Sequence, residues 1–280
     1  MRGSIHRRWI SLESFWEKAH ILYQNRSLRN MILGFSHQAI CLSDFSAAAD
    51  LLLKFGYVEQ FQEIGLANSP EKRAFLNDLP TKMDLLYFSA PNRPAVELIH
   101  YPGPRRHHRS PYRLAVSPDL ATEIQGSSEN KTDRFGWIAP LCTPTIVLPT
   151  QRRERVFASY AILCSELEAS KTFWIEGLGF RETSTANRMV CLFRNAALPQ
   201  WQIELRLSEI KDLSVQYFLD NEGLNVLSFI SNDVAADGLL LGSLGAKSVS
   251  GIFQSRVNQR NLMIQLICGP SGELIELISF

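Results

Sequence analysis

No run of 18 uninterrupted apolar residues occurs in this 280-residue chain, which argues against a membrane-spanning helix. Charge of one sign is missing too. With 29 basic and 28 acidic side chains the formal net charge is +1, so no global field attracts nucleic acid or an anionic membrane. No nucleic-acid motif accompanies the short basic runs. The first residues carry Arg2, Arg7 and Arg8 but no apolar block of signal-peptide length, and Glu13 and Glu17 argue against a mitochondrial leader. Cysteine is sparse and unpaired: Cys41, Cys142, Cys164, Cys191 and Cys268 are widely spaced, without a CxxC pair. Most of them sit in apolar runs, as reduced core thiols of a cytoplasmic protein would, rather than in a disulfide framework or zinc ribbon. Low-complexity sequence is absent. What remains is 45% hydrophobic, enough for a sizeable core in one large or two ordinary domains.

Three segments repeat one order of signals: an apolar strand, an acidic turn, an amphipathic helix closed by glycine, then further strands. They are FSHQAICLSDFSAAADLLLKFGY (35–57), ASYAILCSELEASKTFWIEGLGF (158–180) and NVLSFISNDVAADGLLLGSLGA (225–246). Ser43–Asp44, Ser165–Glu166 and Asn232–Asp233 stand where helix starts favour capping and acidic residues. Gly56, Gly179 and Gly245 stand where each helix must end. The closing strands are AVELIHY (95–101), WQIELRL (201–207) and ELIELISF (273–280), with others expected over 83–89, 188–194 and 261–268. The order is β-α-β-β-β, a repeated supersecondary unit. Strands over 114–116, 137–139 and 145–148 read as a degenerate further copy, second in chain order. GSSENKTD (126–133) reads as a solvated loop.

The stretches SELEASKTFWIEGLGF and SDFSAAADLLLKFGY resemble the opening of a vicinal oxygen chelate module, the superfamily of glyoxalases, bleomycin-resistance proteins and extradiol dioxygenases. GPSGELIELISF resembles that superfamily's closing strand. The resemblance implies an α+β fold of βαβββ modules paired into U-shaped mixed sheets, each with a concave cup that holds the site. The expected division is an N-terminal helix in 1–30, a first glyoxalase-like domain in 31–150 and a second in 151–280. Leu12, Phe15, Trp16, Ala19, Leu22 and Tyr23 would form the apolar stripe of the N-terminal helix, covering its own domain.

Strand alternation separates the faces. If Ile40 and Leu42 face the helix, His37, Ala39 and Cys41 face the cup; on the closing strand Glu97, Ile99 and Tyr101 do the same. An imidazole and a carboxylate on neighbouring strands suit a borderline divalent ion. His37 and Glu97 are also where the resemblance places metal ligands, implying one ion of zinc, nickel, cobalt, manganese or iron. Other modules depart from the pattern: Ser159 stands at the histidine position of the third with Glu204 as its glutamate, and Val226 at that of the fourth with Glu276 retained. In the second module the equivalents are Tyr112 and either Thr145 or Val147. If modules pair consecutively, the first cup has two ligands; if the first pairs with the fourth, Glu276 is a third. With one histidine, ring-cleaving iron chemistry is disfavoured. The C-terminal cup is expected to gather Ser159, Gln202, Glu204, Arg206, Gln265 and Glu276, with Tyr101 lining the other cup. Glu276 and Glu204 are the candidate proton carriers.

The resemblance implies a metal-assisted epimerase, isomerase or lyase acting next to the carbonyl of a small polar molecule, without a nucleotide cofactor; spacing alone gives an inward-facing His and several inward-facing Glu. The glycines of GLLLGSLGA lie within or after a helix, where no dinucleotide loop places them. A homodimer is compatible with the resemblance. The rival from another class is a metal-free small-molecule binding protein, favoured by the missing histidines. A third reading, a structural or regulatory partner, leans on the N-terminal stripe and on the loop bearing Arg105, Arg106, His107, His108, Arg109 and Arg113. That loop could grip an anion, though a solvated loop is the favoured reading.

Overall fold

The computed structural model describes residues 32–91, 93–103, 110–116, 135–138, 141, 143–147, 158–185, 188–193, 203–210 and 216–280. The expected N-terminal helix, Gln202, the loop 126–133 and most of the basic loop lie outside these residues.

The first module runs β1 (Ile32–Cys41), α1 (Ser46–Lys54), β2 (Val58–Ala67), a 3-10 turn (Pro70–Phe75), β3 (Lys82–Ala90) and β4 (Arg93–His100). The second contributes β5 (Tyr112–Val116), β6 (Phe135–Ile138) and β7 (Thr143–Val147). The third has β8 (Ser159–Cys164), α2 (Leu167–Thr172) continued by a π-helical turn (Phe173–Gly177), β9 (Arg181–Thr185), β10 (Arg188–Phe193) and β11 (Ile203–Glu209). The fourth has β12 (Gly223–Ser231), α3 (Val234–Ser243), β13 (Ser248–Val249), β14 (Phe253–Val257), β15 (Arg260–Cys268) and β16 (Leu274–Ser279). No helix among the described residues is long and apolar enough to cross a membrane.

The repeated punctuation acts at each helix, though not identically. Asp233 caps α3, its carboxylate accepting from Ala236 N–H at 3.0 Å, and Asp44 accepts from Ser46 N–H at 3.0 Å. Glu166 stands at the N-cap of α2 without a side-chain cap bond. Gly56, Gly179 and Gly245 then reverse the chain at φ of 78°, 76° and 97°, a conformation that a Cβ disfavours.

The strands form two mixed sheets. In the first the order is β13-β15-β16-β12-β1-β4-β3-β2, with β14 on β15; in the second it is β6-β7-β5-β8-β11-β10-β9. The join in the first sheet is the antiparallel pair β1–β12, which sets His37 opposite Ser228. The join in the second is β5–β8, which sets Arg113 opposite Ala161. Sheet pairing thus unites the first module with the fourth and the second with the third. It does not follow the consecutive division into 31–150 and 151–280 expected from sequence. The reason is that strand signals fix each module but carry nothing about which module edge it meets.

The helix-facing sides of both sheets share one apolar cluster. Phe35 and Phe229 of the first sheet meet edge to face at 5.4 Å, and Phe35 also touches Tyr160 of the second at 6.3 Å. Trp174 packs edge-on against Phe180 at 5.1 Å and against Phe229 at 6.2 Å. The close approach of α2 to α3 depends on Gly177, where a Cβ would lie 2.4 Å from Leu241 Cδ2. With their convex sides spent on this core, the sheets keep their concave faces for other work.

Candidate active site in the cup of the first sheet

Alternation along β1 and β4 sorts residues as expected. Ile40, Leu42, Val96 and Leu98 enter the shared core. Ala39, Ile99 and Tyr101 join a separate cluster on the concave side, with Val226, Ile230, Leu274 and Ile278 from the fourth module. The parallel register is the same in both halves: His37 pairs with Ala95, two residues before Glu97, and Val226 pairs with Leu274, two before Glu276. Val226 therefore occupies the place equivalent to His37, and Glu276 the place equivalent to Glu97.

The pairing of the end modules brings three of these groups together. His37 Nε2 lies 3.4 Å from Glu97 Oε2 and 3.6 Å from Glu276 Oε2. All three line a cavity of about 120 Å³. The imidazole is held from behind: Ser36 Oγ is 3.0 Å from Nδ1, and Tyr87 stands edge to face at 5.6 Å, itself stacked on Phe61 at 5.0 Å. Such contacts fix the ring so that Nε2 points into the cavity. Ser228 Oγ donates to Glu276 Oε2 at 2.7 Å. Buried Nε2 nevertheless completes no hydrogen bond among the described residues.

Burial alone would lower the pKa of His37, but the neighbouring carboxylates of Glu97 and Glu276 reverse this and hold it above its ordinary value. Burial raises the Glu276 carboxyl, opposed mainly by the charge of His37, and Glu97 adds to the rise. Lys72, from the 3-10 turn, is buried in the same cavity, where burial lowers its ammonium against the pull of Glu276 and Glu97. Burial lifts the Tyr101 phenol well above its usual range.

One imidazole nitrogen and two carboxylates are a donor set that a divalent ion uses, and the orphaned Nε2 is aimed at the space between the carboxylates. Donors about 2.0–2.2 Å from one zinc ion stand roughly 3–3.5 Å apart. The observed separations of 3.4 and 3.6 Å lie at and just beyond the upper edge of that range. Among the described residues no group of three such side chains is drawn into coordination geometry. A small inward movement of the carboxylates would be needed.

Several expected residues fall elsewhere. Glu204, Ser159 and Arg206 belong to the second sheet, so Glu204 and Glu276 do not share a cup. Glu204 is committed to Arg206, whose Nε donates to its Oε1 at 2.7 Å. Ser159 pairs with Glu204 and Ala161 with Arg206. With Ser159 taken as the counterpart of His37, the residue at the Glu97 position is therefore Arg206, and Glu204 lies two residues earlier. Gln265 points to the helix side: Ile264 and Leu266 on either side face the cup, while a Cβ on Gly238 of α3 would lie 2.0 Å from Gln265 Oε1. Its Nε2 donates to Ser250 O at 2.9 Å. Tyr112 is buried in the shared core, donating to Leu274 O at 2.7 Å.

Some cavity residues were missed by the sequence argument. Tyr87, Leu85 and Met83 share one face of β3, which alternation could have assigned once β4 was read. Ser228 could have been found the same way from Val226. Lys72 had no such signal, since it lies in a 3-10 turn where no strand alternation assigns a face.

Compared as sequences, neither a protein-family model nor a curated protein matches this chain. Solved structures do. Glyoxalase I from Zea mays superimposes with a TM-score of 0.58 at 15% identity, over 88% of this chain and 92% of that one. A candidate dioxygenase from Bacillus subtilis gives 0.55 at 12% identity, over 89% and 86%. At such identities the likeness is one of fold: the chain carries a glyoxalase-like fold.

Proposed function

We propose that this chain is a small-molecule enzyme of the vicinal oxygen chelate type, a metal-assisted epimerase, isomerase or lyase acting next to a carbonyl in the first cup. The observation that carries the reading is the convergence of His37 Nε2 with the carboxylates of Glu97 and Glu276 on one cavity wall. His37, Glu97 and Glu276 would hold one divalent ion of zinc, nickel, cobalt, manganese or iron. Three protein donors leave a coordination position open for a substrate oxygen or water. Val226, apolar at the remaining module position, keeps the number at three. When bound, the ion would supply positive charge that polarises a carbonyl oxygen and acidifies the neighbouring carbon.

Glu276 is the proton carrier in this reading. In the cup without an ion, burial raises its carboxyl; to carry the proton it would leave the ion to His37 and Glu97, take a proton from carbon and return it. The Ser228 hydroxyl fixes which oxygen faces the cavity. Apolar walls from Phe61, Leu85, Ile99, Leu262 and Ile264 exclude water from the reacting atoms. With a single histidine in the cup, ring-cleaving dioxygenase chemistry is disfavoured.

A second reading, a metal-free binding protein, is favoured by the absence of a three-donor coordination geometry among the described residues. Elemental analysis of the purified protein with His37→Ala as control separates the two, combined with proton NMR of α-hydroxycarbonyl compounds in deuterated water. The enzyme reading expects about one divalent ion per chain. It also expects loss of that ion in His37→Ala, and deuterium entering at the carbon next to the carbonyl only in the unmutated protein. Metal-free protein that binds such compounds without exchange would establish the second reading instead.

A further inference from the structure

Lys72 is the cavity group that the reading above leaves without a task. It comes from the 3-10 turn Pro70–Phe75, whose Phe75 and neighbouring Leu76 pack into the concave cluster. The segment after the turn is clamped to the fourth module. Asn77 gives its N–H at 3.0 Å and its Nδ2 at 2.9 Å to Asp220 Oδ1, and Leu219 N–H donates to Phe75 O at 2.8 Å. The ammonium is thereby fixed inside the cup rather than free to reach solvent.

Its surroundings are poor for a cation. Among the described residues Nζ finds Met83 Sδ at 3.5 Å and the faces of Phe253 and Tyr101 at 5.7 and 5.9 Å, and no carboxylate within ion-pair distance. A thioether is a weak acceptor and ring faces only partly replace water. Glu276 and Glu97 act on it only from beyond ion-pair distance, and a buried charge without a direct ionic partner is costly unless something else completes its shell. It lines the same cavity as His37, Glu97 and Glu276.

Charge counting says what completes it. A divalent ion with two carboxylates and a neutral imidazole sums to zero, so Lys72 leaves the loaded cup one positive charge in excess. We propose that Lys72 anchors a carboxylate of the substrate, so that the cup takes small carbonyl acids bearing an apolar arm. A single ammonium among apolar walls matches a monoanion; a phosphate dianion calls for several donors. The inference rests on the carbonyl chemistry proposed above, and adds which carbonyl compounds are accepted.

The test uses calorimetric titration of the full chain as isolated, with 4-methyl-2-oxopentanoate and its methyl ester as probes, and metal content measured on each sample. The unmutated protein is expected to bind the acid about tenfold more tightly than the ester. Lys72→Met, similar in length but uncharged, should bind both alike with metal content unchanged; Lys72→Arg should keep the preference. Equal binding of acid and ester by the unmutated protein, no binding of the acid, or a preference that survives in Lys72→Met would each overturn the proposal. The last outcome would mean that the acid is held by the metal instead. Absence of metal from the unmutated protein would overturn the catalytic reading and this proposal together, because the excess charge at Lys72 exists only in the loaded cup, whereas metal present without a preference for the acid would overturn this proposal alone.

Discussion

His37 on β1 and Glu276 on β16 face each other at 3.6 Å although they lie near opposite ends of the chain. The contact exists because β12 pairs with β1 on one edge and with β16 on the other. The candidate site is thus shared by the first and last modules, and its integrity reports on their pairing.

Ser228 gives the first prediction. Its hydroxyl donates to Glu276 Oε2 at 2.7 Å from the strand between His37 and Glu276. Outer partners of this kind orient a ligand, and removing one commonly lowers metal affinity about 10–100-fold. Ser228→Ala should therefore weaken divalent-ion binding by that order in competition with a chelating dye, at unchanged thermal stability. Unchanged affinity would mean that Glu276 is oriented by packing alone.

Glu273 gives a pH dependence away from the candidate ligands. Its side chain is fully buried and accepts from Trp174 Nε1 at 3.1 Å and Ser271 N–H at 2.8 Å. Burial nevertheless wins and raises the carboxyl pKa from its usual 4.5. Between 4.5 and the raised folded value, the native state holds more protons than the unfolded one, so stability falls as pH rises. In urea titrations, the stability of the unmutated protein relative to Glu273→Gln should fall with rising pH across that window. A difference that stays flat, or climbs, would show that the hydrogen bonds outweigh burial.

Gly177 tests the packing that joins the third module to the fourth. A Cβ there would lie 2.4 Å from Leu241 Cδ2 and 3.2 Å from Leu244 Cδ1. Leu241 is fully buried and cannot swing clear. Alanine gains up to about 1 kcal/mol of helix propensity over glycine. Overpacking of this kind costs about 1–3 kcal/mol, so Gly177→Ala should be net destabilising in chemical denaturation. The double variant with Leu241→Ala should be more stable than the sum of the singles implies, because the shortened side chain leaves room for the methyl. Strict additivity would mean that the helices simply move apart.

The fold was readable because its signals are local. Helix starts at Asp44 and Asp233, helix ends at Gly56 and Gly245, and two-residue alternation in β1 and β4 all act within a few positions of chain. Alternation also placed His37, Glu97 and Tyr101 in one cup. Module pairing was not readable, because β1 could extend a sheet with any partner edge and only burial of the whole chain selects β12. The misplacement of Glu204 beside Glu276 followed from that gap. Gln265 failed differently: its strand was assigned without fixing its parity, which Ile264 and Leu266 show to be opposite. Lys72 was hidden because a turn residue's direction is set by what Phe75 and Asp220 anchor, not by any period in the sequence.

The last prediction separates the two sheets. In the second, Glu204 is held by Arg206 at 2.7 Å, and Arg206 stands at the register position that Glu97 takes in the first. A guanidinium there repels a divalent ion, and its bound carboxylate is already occupied. Glu204→Gln should therefore leave metal content and deuterium exchange at the unmutated level, whereas Glu276→Gln should reduce both. Each is a one-atom change on a concave face, so general damage to the fold would not sort them in this way. If Glu204→Gln abolished exchange while Glu276→Gln preserved it, the chemistry would belong to the second sheet, and the convergence of His37, Glu97 and Glu276 would be an ion-pair cluster of the first.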